Sequence, residues 1–435
     1  MKTALEVAFW IGIFWLGYVY VLYPAVLLAL SHFKKLRFTA KMVAGPLPRV
    51  SVLISARNEV RDIGWKIAET LAWDYPADKL ELLVASDGSQ DGTDDVLKSI
   101  SDPRFRHIRL EPQHGKAEAL NRLARMAQGD LLFFTDANSH IGPACLQKIA
   151  RPFADPKVGC VTGSERTLRE TQNFAMAIGT RAFLGYESFV NTLESKLGSV
   201  LVCDGSVFCI RAELFSDLQP ELANDFELPL RIGAAGFAVL FDPAAVSWER
   251  APGVAAEEFN RKRRISCQGF LGLWRLRHHV RGSRRWQFFS RKLLRWLGAI
   301  PLALIFISTL GLLSNPLYLA ALIAQLLFYL GALVGWLCNA MRWSSNRLLT
   351  FPFYFLMVNI GALAGVISVL LGSRFSTWDS PDGSRGTLKG IASASFQQSV
   401  GATLIAPRFR PELRAEVVIA RSKRDCAGLD SEKLV

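Results

Sequence analysis

An apolar segment that ends in short polar side chains contains the residue pair with the most specific chemistry in this sequence. Residues 131–134 are all leucine or phenylalanine, and Asp136 and Asn138 follow within four positions. Strand side chains two positions apart project in the same direction, so both side chains would face one ligand. Carboxylate and amide oxygens suit hard divalent cations such as Mg²⁺ or Mn²⁺, which also bind phosphate. Taken alone, the pair fits a strand followed by an Asn-capped turn equally well.

Polar residues also follow the other apolar segments in the first half of the chain. Asn58 and Glu59 come after the first one, Asp87 lies in a loop after the second, and Lys116 begins a helix after the third. Strands that alternate with helices indicate an α/β fold with a mostly parallel sheet. The carboxyl ends of such strands meet at one edge, so we expect these side chains to share a crevice with Asp136.

The same patterns predict the remaining elements of this domain. Predicted strands cover residues 50–55, 80–85, 105–110, 131–134, 158–162, 207–211, 237–241 and 245–248, and predicted helices cover 60–71, 117–127 and 171–195. Arginines and tryptophans alternate through residues 260–295, which is typical of helices that lie on a membrane surface.

The composition points to a membrane protein. Half of the 435 residues are hydrophobic, and the apolar residues are concentrated near both ends of the α/β region. Segments long enough to cross a bilayer cover residues 5–30, 296–313, 317–337 and 348–371. The net charge of +13 fits anionic lipid surfaces and a phosphate-bearing substrate. No nucleic-acid-binding motif is present, so we expect no nucleic-acid partner.

Basic residues set the predicted orientation. The first span is followed by Lys34, Lys35, Arg37 and Lys41, which places the next segment in the cytoplasm under the positive-inside rule. Arg342 and Arg347 lie in the loop between the last two spans, and the same rule places this loop in the cytoplasm as well. The side of the basic tail after residue 373 stays open, and the tail is predicted to be partly disordered.

Several motifs occur together in the order that is typical of one enzyme family. They are Asn58-Glu59, the loop 86–93 with the sequence SDGSQDGT, Gly115-Lys116-Ala117, Thr135-Asp136-Ala137-Asn138, and Asp225. On these motifs the chain resembles the membrane-embedded family 2 glycosyltransferases, which have a GT-A fold, over roughly residues 50–385. The nearest subgroup is similar to bacterial enzymes that build surface polysaccharide.

The resemblance implies roles on the donor side of the reaction. Such enzymes move a sugar, with inversion, from a nucleotide diphosphate sugar, usually a UDP-sugar. Asp87 would hydrogen-bond the base, Glu59 would line the nucleotide pocket, and Lys116 and Arg263 would bind the diphosphate. Asp136 would contact the donor through Mg²⁺ or Mn²⁺. A turn-stabilising role is the alternative for Asp87, and a helix N-terminal charge is the alternative for Glu59.

The resemblance also implies a metal pair, a base and an acceptor pocket. Asp136 and Asn138 match the Asp-x-Asp metal pair, with an amide in place of the second carboxylate. Asp225 matches the general base that deprotonates the acceptor hydroxyl; an N-cap is the alternative. Asp204 and Gly205 fall where family members form the floor of the acceptor pocket; a plain turn is the alternative.

One motif departs from that of the processive enzymes. Residues 260–264 read NRKRR where processive members carry Gln-x-x-Arg-Trp, so Arg263 aligns and the acceptor-stacking tryptophan is absent. The departure, together with only four predicted spans, weakens any expectation of processivity.

The sequence thus predicts a multi-pass protein of the inner (cytoplasmic) membrane that glycosylates a glycan or lipid-linked acceptor for surface polysaccharide. The alternatives are a polyprenyl-phosphate glycosyltransferase and an inactive nucleotide-binding scaffold. The predicted regions are a first span with a basic linker at 1–45, a cytoplasmic GT-A domain at 46–258, interface helices at 259–295, about three spans at 296–372 and a basic tail at 373–435.

Overall fold

The fold was analysed in a computed structural model of the chain. It describes residues 1–33, 46–167, 174–198, 200–250, 254–341, 343 and 347–372. The predicted basic linker with Lys34, Lys35, Arg37 and Lys41, the residue Arg342 and the tail after residue 373 lie outside the described residues.

One eight-stranded sheet forms the centre of the α/β region. Its strands are β1 (Val50–Ala56), β2 (Leu80–Asp87), β3 (Phe105–Leu110), β4 (Leu131–Phe134), β5 (His140–Ile141), β6 (Val158–Thr167), β7 (Phe208–Arg211) and β8 (Ala238–Glu249). They lie side by side in the order β3-β2-β1-β4-β7-β6-β8-β5. The pairs β1–β2, β1–β4, β2–β3 and β6–β8 are parallel, whereas β4–β7, β6–β7 and β5–β8 are antiparallel. The sheet is therefore mixed, with a parallel first half.

The parallel half is buried on both faces, which explains its continuous apolar segments. Val52 and Phe133 pack into the hydrophobic cluster on one face, and Leu53 and Phe134 pack into the cluster on the other. Because these strands run in register, the residues that follow β1, β2 and β4 emerge at the same edge.

Helices cover both faces of the sheet. In chain order they are α1 (Lys2–Phe33, with a π-helical turn at Tyr18–Leu22), α2 (Ile63–Leu71), α3 (Thr93–Lys98), α4 (Lys116–Met126), α5 (Cys145–Ala150), α6 (Phe174–Lys196), α7 (Asn224–Ala234), α8 (Ala255–Leu276), α9 (Ser283–Trp296), α10 (Ala299–Leu310), α11 (Pro316–Ala340) and α12 (Arg347–Leu370). Apolar residues of α2, α3 and α5 join one face cluster, and those of α4 and α7 join the other.

The two closing strands predicted at 237–241 and 245–248 are one strand, β8. The turn-forming Asp242-Pro243 pair lies inside it, where the register against β6 shifts between Thr162 and Ser164. Asp242 accepts a hydrogen bond from the Ala244 amide over 2.8 Å. A proline is tolerated in a strand at such an irregularity, so the pair bends β8 without ending it.

Among the residues that the structure describes, three helices are long and apolar enough to cross a membrane: α1, α11 and residues Leu348–Leu370 of α12. The span predicted at 296–313 differs from this pattern. Its helix α10 has 12 residues and bends by 60° away from α9. Twelve residues reach about 18 Å, less than the roughly 30 Å of a hydrocarbon core. The region therefore holds a broken span or a re-entrant segment, and a fourth span only if α9 and α10 count together.

The basic helix α8 packs closely against the last candidate span. A Cβ atom added at Gly365 of α12 would lie 2.3 Å from the carbonyl oxygen of Arg263, and one at Gly361 would lie 3.2 Å from that of Phe259. Only glycine allows the two backbones to approach this closely. The packing fixes α8 in rotation, and this rotation decides which of its arginines face the sheet edge.

Candidate active site

Asp87, the last residue of β2, fixes the start of helix α4. Its carboxylate is fully buried and accepts hydrogen bonds from the His114 amide over 2.7 Å and from the Gly115 amide over 2.8 Å. Gly115 has φ +92°, a backbone conformation that favours glycine. Asp87 thus holds the residue before Lys116 in place.

Lys116 and Asp136 form an ion pair at the carboxyl edge of the sheet. The Lys116 Nζ lies 2.6 Å from Asp136 Oδ1, and both side chains are only partly exposed. Burial by itself would lower the pKa of Lys116, but the Asp136 carboxylate outweighs it and holds this pKa above its usual value. The ammonium therefore stays charged at this edge of the sheet.

Asp225, in the first turn of α7, belongs to the same group. Burial raises its pKa; the positive charge of Lys116 acts against that rise, and the negative charge of Asp136 adds to it. A Cβ atom added at Gly205 would lie 3.4 Å from Asp225 Oδ2, so Gly205 leaves one side of the carboxylate open. We call the space between Lys116, Asp136 and Asp225 the polar crevice.

A second group of carboxylates lies beside the crevice. Asp204 accepts hydrogen bonds from the amide and the hydroxyl of Ser206, over 3.0 and 2.6 Å. Burial and the nearby Glu165 raise the pKa of Asp204 to about 7. Burial and Glu165 also hold the pKa of Glu249 well above its usual value. Arg261 of α8 pairs with Glu165 over 3.2 Å. This side of the crevice is thus rich in acceptors.

The structure brings Glu59 next to the loop that follows β2. The Glu59 amide donates to Thr93 Oγ1 over 2.9 Å, and Asn58 Oδ1 accepts from the Gln90 amide over 2.8 Å. Asn58 has φ +56°, a left-handed conformation that asparagine tolerates. These bonds tie the ends of β1 and β2 together and hold Glu59 at the sheet edge.

The two side chains of the predicted metal pair, Asp136 and Asn138, differ in exposure. Asn138 is exposed, and the side chain of Asp136 is 27% exposed. Among the described residues, no three His, Cys, Asp or Glu side chains group closely enough to hold a metal ion. Any ion here would share its coordination with a ligand.

Two functional candidates were missed by the sequence analysis. Arg264 is half-buried. Its positive charge lowers the pKa of Lys116, and the negative charges of Asp136 and Asp225 in turn favour the charged form of Arg264. The predicted Arg263 instead donates to Ser368 of α12 over 3.1 Å. Four consecutive basic residues give no sequence signal for which one faces the crevice, because this depends on the packing of α8.

The second missed residue is Lys66, which lies under the loop that carries Asp136 and Asn138. It is fully buried, and its Nζ donates to Thr135 Oγ1, the Ser139 carbonyl and Ser139 Oγ over 3.0, 2.7 and 3.2 Å. Burial lowers the pKa of Lys66 to about 8, with Glu69 the main opposing charge. A lysine in the apolar stripe of an amphipathic helix was the available signal.

Comparison with known sequences identifies the family of this site. The profile described as "Glycosyltransferase like family 2" matches residues 48–268. The chain belongs to this family. Its mixed sheet with helices on both faces is a GT-A-like fold.

Curated relatives of this chain match just under half of its length. The probable glycosyltransferase YdaM of Bacillus subtilis is 31% identical over 222 residues, covering 47% of this chain and 51% of YdaM. The poly-beta-1,6-N-acetyl-D-glucosamine synthase of Staphylococcus aureus strain COL is 24% identical over 212 residues, covering 47% and 51%. The chain thus spans about half the length of these curated relatives.

A solved structure agrees on the fold. The mannosyltransferase PcManGT from Pyrobaculum calidifontis, in complex with GDP-Man and Mn²⁺, aligns with a TM-score of 0.58 and 22% identity. The alignment covers 82% of this chain and 99% of that one. The likeness extends beyond the α/β region into the helices that follow it.

Proposed function

We propose that this enzyme transfers a sugar, with inversion, from a nucleotide diphosphate sugar to a hydroxyl of a glycan or lipid-linked acceptor. The proposed donor is a UDP-sugar, and the proposed place is the cytoplasmic face of the cell's inner membrane, in surface-polysaccharide synthesis. One observation carries the proposal: Lys116 and Asp136 form an ion pair, and the charges of both act on the half-buried carboxylate of Asp225. A phosphate-binding cation and a base are thereby next to each other at the ligand-binding edge of the sheet.

The donor side rests on Lys116. When a diphosphate binds, its oxygens compete with Asp136 for the Lys116 ammonium. The positive charge that is paired with Asp136 in the free protein can then stabilise the negative charge of the leaving group. Arg264 adds a second cation from α8, and Arg263 remains the candidate from the motif. Asp87 is fully buried and accepts one amide on each oxygen, so it supports the donor side by fixing the start of the helix that carries Lys116, and only the motif makes it the candidate for contact with the base. Glu59 borders the same pocket.

Asp136 and Asn138 are the residues that would hold Mg²⁺ or Mn²⁺. They offer one carboxylate and one amide oxygen, a donor set that fits a hard cation but is too small to bind it alone. Phosphate oxygens and water would complete the coordination. When bound, the ion supplies positive charge that neutralises the departing nucleotide. The complex of PcManGT with Mn²⁺ supports this choice of metal.

The acceptor side rests on Asp225, Asp204 and Gly205. The acceptor hydroxyl attacks the anomeric carbon, the bond from that carbon to the diphosphate breaks, and the hydroxyl proton passes to Asp225. Burial raises the pKa of Asp225, which makes it a better proton acceptor while Lys116 keeps it ionised. Gly205 supports an open approach to this carboxylate, and Asp204 offers hydrogen-bond acceptors to sugar hydroxyls.

The proposal is tested with the purified chain and a panel of nucleotide sugars, with Mg²⁺ or Mn²⁺ present. We expect release of nucleoside diphosphate from at least one UDP-sugar. Asp225→Asn should lower transfer by about a hundredfold to ten-thousandfold, the usual contribution of a general base, and leave donor binding intact.

Asp217→Asn is the matched control, since it removes an exposed carboxylate whose partner is the exposed Arg125. It should not alter transfer. Full activity of Asp225→Asn would remove Asp225 as the base, and failure of every nucleotide sugar would contradict the proposed donor class.

A further inference from the structure

Helices α8 and α9 are joined by a short turn, residues 277–282, whose inner face packs into the protein. Leu276 and Val280 are buried in one hydrophobic cluster with Ala362 and Val366 of α12. Helix α12 contains a candidate membrane span, and α9 continues into α10 to form the bent pair that is also apolar enough to enter a bilayer. The turn is therefore packed against helices that lead into the membrane.

The outer face of the same region carries three arginines that have no acidic partner. Arg277, Arg281 and Arg285 are all exposed. Each guanidinium donates to a backbone carbonyl three to five positions earlier, over 2.9 to 3.0 Å. Within the described residues, no carboxylate forms an ion pair with any of the three. This face therefore carries three positive charges that the described part of the protein does not neutralise.

The other basic residues of α8 and α9 differ from these three, because most of them form ion pairs inside the protein. The pairs are Arg261–Glu165, Lys262–Glu258, Arg275–Glu221, Arg291–Glu194 and Arg295–Glu187. The sequence pattern predicts a membrane surface along all of residues 260–295. In the structure, the exposed lysine and arginine side chains of this segment are concentrated at the turn and the start of α9.

Two large apolar side chains flank the three arginines. Trp274, one helical turn before Arg277, is 67% exposed, and Phe289, one turn after Arg285, is 51% exposed. The Arg277 guanidinium lies 5.0 Å from the centre of the Trp274 ring. Such a ring gains burial energy when it enters the head-group region of a bilayer, where aromatic residues are enriched. Aromatic rings beside unpaired arginines are typical of a surface that lies on a membrane.

We propose that Arg277, Arg281 and Arg285, together with Trp274 and Phe289, form a docking surface for anionic phospholipid head groups. The guanidinium groups bind the phosphate oxygens, and the two rings enter the layer below them. The lipid is bound and not glycosylated, so the inference goes beyond the proposed transfer and does not depend on its donor or acceptor. We call these five residues the lipid-docking surface.

The chemistry of the surface distinguishes a lipid from a soluble acidic partner. An acidic protein or a nucleic acid would also complement the three arginines. Neither accounts for the two exposed rings, nor for a position between α12 and the bent pair of α9 and α10. An anionic membrane supplies both the charge and the apolar layer.

Docking at this surface would also fix one wall of the polar crevice. Gly272 of α8 lies against the ring of Phe226, because an added Cβ would lie 2.6 Å from Phe226 Cε1. Phe288 of α9 contacts the same ring with centroids 5.7 Å apart. Phe226 is next to Asp225 in the first turn of α7. Head groups bound to the turn between α8 and α9 would therefore hold both helices, and the wall that they form, against the bilayer.

The test locates lipid contacts on the full chain in nanodiscs and needs no nucleotide sugar. The probes are phosphatidylglycerol and phosphatidylcholine, each with the same photoactivatable diazirine on the acyl chain near the glycerol. Mass spectrometry identifies the labelled peptides, and the labelling of α11 serves as the reference for each lipid. We expect phosphatidylglycerol to label residues 274–289 at least about fivefold more than phosphatidylcholine, the effect of about one basic residue at an anionic surface. Salt at about 1 M, where the Debye length is about 3 Å, should reduce this preference.

Two triple variants test the charges themselves. Replacing Arg277, Arg281 and Arg285 by glutamine should make the two lipids label residues 274–289 about equally. Replacing the same three by lysine keeps the charge and should retain the preference. Equal melting temperatures of the two variants would exclude misfolding as the cause, and the comparison of lipids on the unchanged chain stands even if the glutamine variant does not fold.

The matched control removes three exposed arginines of the α/β region that do have acidic partners. Arg122 pairs with Glu118, Arg125 with Asp217 and Arg250 with Asp62. Their joint replacement by glutamine lowers the net charge equally and should leave the lipid preference unchanged.

Three results would overturn the proposal. They are equal labelling of residues 274–289 by both lipids on the unchanged chain, a preference that persists in the glutamine variant, and labelling of α11 without labelling of residues 274–289. The last result would mean that the surface faces water, and would assign it to a soluble acidic partner instead.

Discussion

At the scale of single residues, the site depends on how three charges act on one another. Lys116 is bonded to Asp136, and both charges act on Asp225 in opposite directions. Burial is the largest influence on Asp225 and raises its pKa. A base with a raised pKa takes up a proton more readily, provided that it is ionised at the working pH.

This arrangement predicts an acid limb in the pH profile of transfer. Activity needs the ionised carboxylate of Asp225, so kcat/KM should fall as the pH drops through its raised pKa. The limb should therefore lie above the range of an ordinary aspartate, whose pKa is about 3.9. Lys116→Met removes a cation that favours the ionised form, so the limb should move to still higher pH. The measurement is kcat/KM against pH.

Lys148→Met provides the control for this profile. Lys148 is exposed and donates to the Ala244 carbonyl over 3.0 Å, away from the crevice. Its loss should leave the limb where it is. A limb near pH 4, or one that does not move in Lys116→Met, would contradict the assignment of the limb to Asp225.

At the scale of elements, helix α2 supports the loop between β4 and β5 from below. Lys66 reaches from α2 to both ends of the Thr135–Ser139 segment with three hydrogen bonds. Ser139 Oγ also donates to the Asp136 carbonyl over 2.9 Å. The direction of the Asp136 and Asn138 side chains is therefore set by a residue on another element.

Lys66→Met should loosen this loop. The change keeps the length of the side chain but leaves the Ser139 carbonyl without its ammonium donor, at a cost of about 1–3 kcal/mol in unfolding free energy. The donor KM should rise as well, because Asp136 loses its fixed position. Thermal unfolding in detergent and donor kinetics measure the two effects.

Lys79→Met separates this local effect from a general loss of stability. The Lys79 ammonium also donates to a carbonyl, that of Leu47, over 2.8 Å, but on a different loop. It should lower stability without changing the donor KM. An unchanged donor KM in Lys66→Met would show that Lys66 has a purely structural role.

At the scale of the whole molecule, the polar crevice lies against the helices that lead to the candidate membrane spans. Helix α8 supplies Arg264 to the crevice and packs on α12 through Gly361 and Gly365. Helix α9 packs beside α7 and continues into α10. Helices α8 and α9 therefore form one wall of the crevice and connect it to the candidate membrane spans.

We expect the protein to behave as an integral membrane protein with its α/β region on the cytoplasmic side. Alkaline carbonate should leave it in the membrane fraction, since α1, α11 and α12 are apolar enough to span the bilayer. Protease added to inside-out vesicles should digest the α/β region, and protease added to right-side-out vesicles should not. Release by carbonate would contradict the spans, and the reverse digestion pattern would contradict the orientation.

The sequence alone determined the fold class, the family and most of the strands. Strands buried on both faces must be apolar throughout, and they must end in polar residues where the sheet meets a ligand, so local pattern was sufficient for β1 to β4. Lys116 and Asp136, expected from that pattern to share one edge of the sheet, form an ion pair there, and both charges act on Asp225, which the family resemblance supplied.

Tertiary structure alone decided which side chains complete the site. The side chains of Arg263 and Arg264 point about 100° apart around α8, and the glycines of α12 fix which one faces the crevice. The same is true of Lys66, whose role depends on contacts with residues about 70 positions away. The reason is physical: periodicity reports which face of an element is buried, whereas a charge acquires its role from the distant element packed against it.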